Sequence, residues 1–323
     1  MNRTVFAALL AVLLAWTGAA AAQTFTITSP ILTPPGGMAT IGDSHGDIAV
    51  SPAGEIYVSV QGGNYSGIQI YGADGRYRRN LPGAPADLHG FIIARAPDGL
   101  PYIYGVSRLA QEVVQLGLDG RRVLTIAASA IPAAYKKDDK QAINLTGIAV
   151  TAGGDIYVTD GYGLDFIHRF DKAGRYLATF GGKGAPWNFD QCHKIAVDPR
   201  FIPVRLLCTD RRHNRLVHMS LDGTVLGVVA ENLRLPSALA VRGDELAVGE
   251  LQGRVTLLDK NGAVIAHIGA NENVDEIRTN KAPPQVWKSD RFYAPHGLTY
   301  DADGNLLVTE FNLWGRVSKV TRK

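Results

Sequence analysis

The sequence predicts an all-β fold, a six-bladed β-propeller, and two observations carry this prediction. One position at the start of an apolar strand recurs six times; we call these positions the slot residues, and they are His45, His89, Thr146, His193, Ser237 and His296. They are separated by 44, 57, 47, 44 and 59 residues, and a period of about 40 to 50 residues with about four strands each is typical of a propeller blade. The 36 glycines and 16 prolines suit short strands joined by tight turns.

Turn signals occur at regular places in these repeats. Asp-Gly and Asn-Gly pairs favour the positive backbone angles that hairpin turns require. Such pairs occur in four repeats, at Asp74-Gly75, Asp119-Gly120, Asp222-Gly223 and Asn261-Gly262, and a fifth repeat has the turn Asp171-Lys172-Ala173-Gly174. Two intervals are long because residues 127–143 and 270–292 are inserted before a slot residue. We expect both inserts to stand on the face that carries the slot residues, as a rim or lid.

The ends of the chain indicate how the ring closes. The last repeat ends near Lys323 after about three strands, and the alternating segment 24–28 precedes the first blade. We predict that this N-terminal strand pairs into the last blade, which closes the ring and protects an exposed strand edge. Residues 23–323 are thus expected to form a single propeller domain.

The first 22 residues have the pattern of a signal peptide. Arg3 is followed by the apolar run 5–15 and by the small residues 20–22. The run is short for a membrane span, so we expect an exported protein, periplasmic or secreted; a retained N-terminal anchor is the less favoured alternative. The formal charge of +3 falls to +2 without Arg3. This balance argues against nucleic-acid and membrane-surface partners, and we expect a monomer that acts on a small-molecule or peptide substrate.

The only two cysteines are Cys192 and Cys208. They fall on neighbouring predicted strands of one repeat, and an oxidising compartment permits a disulfide. The sequence leaves both the bonded and the free form open, because the strand register decides whether the two sulfurs meet.

Histidine occupies alternate slots of the predicted ring. His89, His193 and His296 are separated by 104 and 103 residues, and alternate blades of a six-bladed ring lie about 120° apart. Three imidazoles that converge on the axis with one open position form a catalytic zinc arrangement. We therefore predict that these histidines bind a metal, with zinc expected and another divalent ion as the alternative. The simpler alternative is three polar side chains lining a wet channel.

His45 occupies the same slot but breaks the alternation. We favour a role near the metal or in substrate binding over direct ligation. The remaining histidines lie elsewhere in the repeat and are expected to be surface or packing residues; they are His168, His213, His218 and His267.

Around the slot histidines and on two further strands, the chain resembles the peptidyl-α-hydroxyglycine α-amidating lyase (peptidylamidoglycolate lyase) family of NHL-type propellers. The matching stretches are Leu88-His89-Gly90-Phe91, Tyr157-Val158-Thr159-Asp160-Gly161-Tyr162, Cys192-His193-Lys194-Ile195-Ala196-Val197-Asp198, Cys208-Thr209-Asp210-Arg211 and Ala294-Pro295-His296-Gly297-Leu298. The resemblance spans essentially the mature chain. It implies a zinc ion held by His89, His193 and His296, a catalytic base at Tyr162 and an active-site arginine at Arg211. The implied reaction cleaves a carbinolamide C–N bond and yields a peptide amide and glyoxylate.

The residue types suit this chemistry. A metal lowers the pKa of a bound hydroxyl, and a tyrosine beside a cation can accept a proton. Arg211 can pair with a carboxylate in bidentate fashion. The alternatives are a packed aromatic at Tyr162 and, at Arg211, an ion pair with Asp160, Asp210 or Glu250.

The chain departs from the family pattern at three places. Gln61 stands where the family has an arginine for the substrate carboxylate, so either Arg108 or Arg211 substitutes for it or the substrate differs. We retain Gln61 and Arg108, with His45, as substrate-binding candidates. Gly297 replaces an aspartate that helps to bind calcium in the family, so we do not expect a central calcium. Gly163 stands where the family has a cysteine.

Three functions remain open from the sequence. The first is the zinc-dependent lyase or a close mechanistic relative. The second is another metal-dependent hydrolase or lactonase on the same scaffold, and the third is a non-catalytic NHL propeller that binds protein, peptide or glycan. Fold alone does not choose among them.

Overall fold

The computed structural model describes residues 23–136 and 143–323. The predicted signal peptide, residues 1–22, lies outside the described residues, as do residues 137–142 of the first insert. The described chain forms six four-stranded antiparallel sheets. The all-β six-bladed propeller predicted from the slot period is confirmed.

Each sheet is one blade, and its strands follow one another in chain order from the axis outward. Blade 1 comprises β2 (Ile48–Val50), β3 (Ile56–Val60), β4 (Gly67–Tyr71) and β5 (Tyr77–Asn80). Blade 2 comprises β6 (Leu88–Arg95), β7 (Pro101–Ser107), β8 (Glu112–Gly117) and β9 (Arg122–Ala127). Blade 3 comprises β10 (Gly147–Val150), β11 (Ile156–Thr159), β12 (Phe166–Phe170) and β13 (Tyr176–Gly181). Blade 4 comprises β14 (Cys192–Asp198), β15 (Arg205–Asp210), β16 (Arg215–Met219) and β17 (Val225–Ala230). Blade 5 comprises β18 (Pro236–Arg242), β19 (Glu245–Glu250), β20 (Arg254–Leu258) and β21 (Val264–Ile268). Blade 6 comprises β22 (Pro295–Tyr300), β23 (Leu306–Glu310) and β24 (Val317–Arg322), with β1 (Phe25–Thr28) as its outermost strand.

The ring closes through the N-terminal strand, as predicted. Strand β1 pairs antiparallel with β24, with Phe25 opposite Arg322 and Thr28 opposite Lys319. Blade 6 therefore takes its outermost strand from the beginning of the described chain. Short 3₁₀ helices occupy some of the connections, at Pro35–Gly37, Ala128–Ala130, Ala133–Tyr135 and Pro284–Val286.

The core lies between neighbouring blades. Strand β3 is buried along its whole length, while the outer strand β17 alternates half-buried and exposed positions. Between blades 1 and 2, for example, Tyr57 and Ile70 pack with Phe91 and Ile103. The middle strands bury both faces because a blade packs against a neighbour on each side, which explains why their sequences are almost continuously apolar.

The second insert packs on the face predicted for it. The Arg278 amide donates to the Leu251 carbonyl, and the Leu313 amide donates to the Asn280 carbonyl. Leu251 and Leu313 follow the second strands of blades 5 and 6, which end at the level of the slot residues. In the described part of the chain, no helix is long and apolar enough to cross a membrane.

Candidate metal centre and active site

Bulges in the inner strands turn slot side chains away from the sheet. The pairing register shifts between Leu88 and Gly90, and again between Pro295 and Gly297. It also shifts between Cys192 and Ile195. A bulge leaves a residue out of the ladder and re-aims its side chain. These three bulges contain His89, His296 and His193, and all three histidines are directed at the axis of the ring.

The structure brings the three alternate-blade histidines together. The ring centroids of His89, His193 and His296 lie 5.0 Å apart in each of the three pairs, with interplanar angles of 78° to 87°. All three side chains are buried, with at most 2% of the residue exposed. The spacing of two blades in the sequence thus becomes a three-fold imidazole cluster in the folded protein.

Backbone carbonyls fix the orientation of these rings. Nδ1 of His89 lies 2.8 Å from the carbonyl oxygen of Thr146, and Nδ1 of His193 lies 3.0 Å from that of Ser237. Both carbonyls belong to the slot residue of the next blade. A carbonyl only accepts, so the Nδ1 of each of these two rings carries the proton and its Nε2 keeps the lone pair.

The cluster fits a transition-metal ion. Nε2 of His89 and both ring nitrogens of His296 are buried without a hydrogen-bond partner in the described structure. Burial holds the pKa of all three histidines well below the usual value, so the rings are neutral. Unpartnered neutral imidazole nitrogens are costly to bury unless something satisfies them, and they are the donors that zinc and similar ions prefer.

His45 joins the cluster from blade 1. Its ring centroid lies 5.0 Å from those of both His89 and His296, and 4.2 Å from that of Phe311. Ligand atoms of His45, His89 and His296 all lie within 4.8 Å of one another. Burial, with smaller contributions from Arg108 and Arg211, lowers the pKa of His45 to about 4.

Tyr162 lies beside the cluster between two arginines. Its hydroxyl oxygen is 3.1 Å from Nε2 of His193. The guanidinium carbons of Arg108 and Arg211 lie 5.0 and 5.2 Å from the centre of its ring, and Nη1 of Arg211 lies 3.5 Å from its hydroxyl. The predicted catalytic tyrosine, the predicted catalytic arginine and the substrate-binding candidate Arg108 therefore meet at one place.

Arg211 does not form the ion pair that was the alternative to an active-site role. It is 7% exposed, and its Nε donates to the side-chain oxygen of Gln191 at 3.0 Å. Arg108 is held similarly, through Nε to the side-chain oxygen of Asn144 at 3.0 Å. Throughout residues 23–136 and 143–323, no carboxylate pairs with either guanidinium, so both cations remain available to an anionic ligand.

Gln61 is bound to the backbone. Its side-chain nitrogen donates to the carbonyls of His45 at 3.0 Å and Leu88 at 3.3 Å, which bridges the slots of blades 1 and 2. It also lines a surface cavity of about 300 Å³ together with Arg108 and Leu109. Its amide donors are thus already used, and it lacks the charge of the family arginine.

Carboxyl groups at the ends of the second strands anchor the chain before several slots. Glu310 accepts the backbone amides of Tyr293 and Ala294, two residues before His296. The carboxylates in blades 4 to 6 also pair with an arginine that begins the third strand or directly precedes it; the pairs are Asp210–Arg215, Glu250–Arg254 and Glu310–Arg316. A signal for this was present in the sequence, since Thr159-Asp160, Thr209-Asp210, Gly249-Glu250 and Thr309-Glu310 recur at equivalent positions.

In blade 3 the corresponding carboxyl has no arginine, because Phe166 occupies that position. Asp160 accepts the amides of Asn144 and Leu164, and burial raises its pKa to about 6. The Asn144 carbonyl in turn accepts the Tyr162 amide at 3.3 Å, and its side chain holds Arg108. Asp160 and Asn144 therefore position both Tyr162 and Arg108.

A glycine makes this arrangement possible. A Cβ atom at position 163 would lie 2.2 Å from both carboxyl oxygens of Asp160, which also explains why a cysteine cannot replace Gly163 here. We expect Gly163→Ala to displace the Tyr162 turn and to lower kcat by about 100-fold for any reaction in which Tyr162 takes part, as misplacements near 1 Å can, without changing how much metal the histidine cluster holds. Steady-state kinetics and elemental analysis test this. Gly184→Ala is the control, because its Cβ would meet nothing within 4 Å; equal kcat in both variants would contradict the expectation.

An ion pair that the sequence did not suggest lies next to the cluster. Lys194 on blade 4 pairs with Asp47 on blade 1, and both are buried. The same Asp47 oxygen accepts the Phe91 amide of blade 2 at 3.0 Å. Lys194 also lines a cavity of about 410 Å³ to which the inner strands of all six blades contribute, whereas no slot histidine lines it. The pair thus separates the histidines from the other end of the channel.

The other four histidines lie away from the axis, as expected. His168 is buried against Thr179, and His218 is bound to Asp198. His213 contacts Asp210, and His267 contacts Thr256.

Cys192 and Cys208 form a disulfide with their Cα atoms 5.8 Å apart. The register therefore permits the bond that the sequence left open.

Fold and site together define this protein as a six-bladed β-propeller with an imidazole cluster on its axis. No protein-family model and no curated protein sequence matches the chain. A streptogramin B lyase structure is similar over 93% of this chain and 98% of that one, with a TM-score of 0.60 and 16% identity. A virginiamycin B lyase from Staphylococcus aureus covers 92% and 99%, with a TM-score of 0.57 and 15% identity. A protein of unknown function from Bacteroides caccae covers 80% and 83%, with a TM-score of 0.51 and 13% identity. These similarities show the fold.

Proposed function

We propose that this protein is a metal-dependent lyase that cleaves a carbinolamide C–N bond, converting a peptidyl-α-hydroxyglycine or a close analogue into an amide and glyoxylate. The observation that carries the proposal is the cluster of His89, His193 and His296, whose buried rings lie 5.0 Å apart at the axis, with the Tyr162 hydroxyl 3.1 Å from Nε2 of His193. The lyases among the similar structures support the general reaction class. The proposal includes the NHL-type assignment, an exported location and a monomeric state.

Zinc is the metal we propose, held by His89, His193 and His296. Bound there, it would supply Lewis acidity toward the substrate hydroxyl. Engagement of His193 Nε2 would remove the partner that the Tyr162 hydroxyl has at 3.1 Å. The tyrosine would then be free to turn toward a substrate.

Tyr162 moves the proton in this scheme. The scheme starts from the Tyr162 phenolate: the substrate O–H bond breaks and its proton passes to the phenolate oxygen, giving the neutral phenol, as the new C=O bond of glyoxylate forms. The C–N bond breaks with its electron pair on nitrogen, and Tyr162 returns the proton to that nitrogen. Atoms and charges balance without an oxidant or further reactant. Arg108 and Arg211 hold the Tyr162 ring between them, with their guanidinium carbons 5.0 and 5.2 Å from its centre.

Arg108 and Arg211 also account for the substrate carboxylate. Gln61 carries no charge and its amide is bound to two carbonyls. The two guanidiniums have no carboxylate partner among the described residues, and Arg211 is almost fully buried. A carboxylate between them would gain charge-assisted hydrogen bonds, and the cavity beside Arg108 offers space for the remainder of the substrate.

The missing charge at Gln61 also favours one alternative function. If neither arginine replaces the charge missing at Gln61, a metal-dependent hydrolase or lactonase acting on a substrate without that carboxylate is the better description. A non-catalytic propeller would require neither metal nor Tyr162.

Metal content and glyoxylate release test the proposal together. We expect about one equivalent of zinc in the purified mature protein and almost none in His193→Ala, measured by elemental analysis. His213→Ala is the matched control, because that ring lies on the surface against Asp210. The zinc-loaded protein is expected to release glyoxylate from an α-hydroxyglycine peptide. Absence of metal would contradict both enzyme functions, and metal without glyoxylate would favour the hydrolase or lactonase.

A further inference from the structure

Arg211 is the exception among the buried arginines of the described chain. Arg200, Arg254 and Arg316 are buried as well, and each pairs with a carboxylate at 2.5 to 2.7 Å. Arg211 has instead the uncharged side-chain oxygen of Gln191, 3.0 Å from its Nε. A buried cation without a counter-charge is costly, so this position favours an anionic ligand.

A second arginine beside the same tyrosine is held in the same way. The Nε of Arg108 donates to the side-chain oxygen of Asn144 at 3.0 Å, and the guanidinium carbons of Arg108 and Arg211 lie 5.0 and 5.2 Å from the centre of the Tyr162 ring. Among the described residues, the two terminal nitrogens of Arg108 and Nη2 of Arg211 have no hydrogen-bond partner. Two fixed guanidiniums with unused donors therefore border this ring.

The two uncharged acceptors stand at one position of the repeat. Asn144 and Gln191 each lie two residues before a slot residue, and blades 1 and 2 have Asp43 and Asp87 at that position. A carboxylate in blade 3 or 4 could accept the same hydrogen bond, but it would also cancel the charge of the arginine. The amides anchor the guanidiniums and leave both positive charges for a ligand.

We propose that Asn144 and Gln191 are positioning residues that set the specificity of an anion site: they hold Arg108 and Arg211 without neutralising them, and so make a free carboxylate a requirement of the ligand. The inference rests on the proposed function in naming that carboxylate as the C-terminus of the substrate. Hydrogen bonds from a guanidinium to a carboxylate are about twice as strong as those between neutral groups. Binding of the anion requires no turnover, so it can be measured separately from the reaction.

Equilibrium binding of a peptide that cannot be cleaved tests this inference. The probe is an acetylated dipeptide ending in glycine, and it is compared with the same dipeptide carrying a C-terminal amide. We expect isothermal titration calorimetry of the purified mature protein to give at least about a tenfold higher affinity for the free acid. Gln191→Glu and Asn144→Asp keep the size and the acceptor of each side chain. Each is expected to weaken binding of the free acid by about tenfold and to leave binding of the amide unchanged.

Two further variants separate charge from position. Asn261→Asp makes the same change of charge in an exposed hairpin turn of blade 5 and should retain the wild-type preference for the free acid. Gln191→Met removes the acceptor without adding a charge, and its loss of affinity should be smaller than that of Gln191→Glu. Equal losses in the two Gln191 variants would overturn the function assigned to the uncharged acceptor.

The possible outcomes distinguish this inference from the proposed function. A wild type without preference for the free acid, or acidic variants that keep the preference, would overturn the inference even if the protein releases glyoxylate. A preference that is lost in both acidic variants of a protein that releases no glyoxylate would support the inference and contradict the lyase function.

Discussion

Replacing Tyr162 by phenylalanine is expected to lower kcat for glyoxylate release by about 10²- to 10⁴-fold, the range that a positioned acid–base group contributes. The substitution keeps the ring between Arg108 and Arg211 and removes only the hydroxyl, which lies 3.1 Å from His193 Nε2. The zinc content should stay at the wild-type value, because this residue is not among the proposed ligands. KM should change little if the two arginines bind the carboxylate.

A second tyrosine controls for the loss of a hydroxyl. Tyr176 lies on the outer strand of the same blade and donates to Thr179 at 3.0 Å, away from the axis. Tyr176→Phe should retain wild-type kcat. A stopped assay of glyoxylate release compares the two variants. Comparable rates in both would contradict a catalytic function of Tyr162 and favour the alternative, that it is a packed aromatic residue.

Arg316→Met is expected to have the largest effect on stability, a loss of about 3–5 kcal/mol in the free energy of unfolding. The Arg316 side chain is 1% exposed and pairs with Glu310. It also donates to the carbonyls of Lys288 and Arg291 and to the Ser29 hydroxyl. The substitution leaves the Glu310 charge buried without its partner and frees carbonyls of the second insert. Denaturant unfolding followed by tryptophan fluorescence measures the change.

An exposed ion pair between blades 5 and 6 provides the comparison. Arg322 of blade 6 pairs with Glu245 of blade 5, with 43% and 25% of the two side chains exposed, and Arg322→Met should cost at most about 1 kcal/mol. Adding Glu310→Leu to Arg316→Met should restore only part of the loss, because Glu310 also holds the amides of Tyr293 and Ala294. Equal costs for Arg316→Met and Arg322→Met would disprove the anchoring function.

The ring and the three-fold cluster could be predicted because both depend on a repeated position. Once blades are equivalent, residues two blades apart must lie at about 120° around the axis, and no side-chain detail is needed. The closure by β1 was predictable for the same reason, since the last repeat lacked one strand. The bulges at the slots explain why these particular residues face inward.

Pairings that break the repeat could not be predicted in this way. Lys194 and Asp47 are 147 residues apart. They meet only because Lys194, on the inner strand of blade 4, reaches across the axis to Asp47 of blade 1. Asn144 precedes a slot that holds threonine, so nothing in the histidine pattern selected it. Its importance comes from Asp160, Arg108 and Tyr162 together. The recurrence of an acid at the end of the second strands was visible in the sequence, and Phe166 in place of an arginine marked blade 3 as different.

The Lys194–Asp47 ion pair lies across the channel, between the histidines and the cavity at the other end of the ring. If chemistry takes place at the histidines, we expect the reactant and both products to pass on the side of the cluster where Tyr162 and Arg108 lie. Because both products would share this route, we expect them to leave one after the other. An enzyme of this design would be inhibited by whichever product leaves last, competitively with substrate.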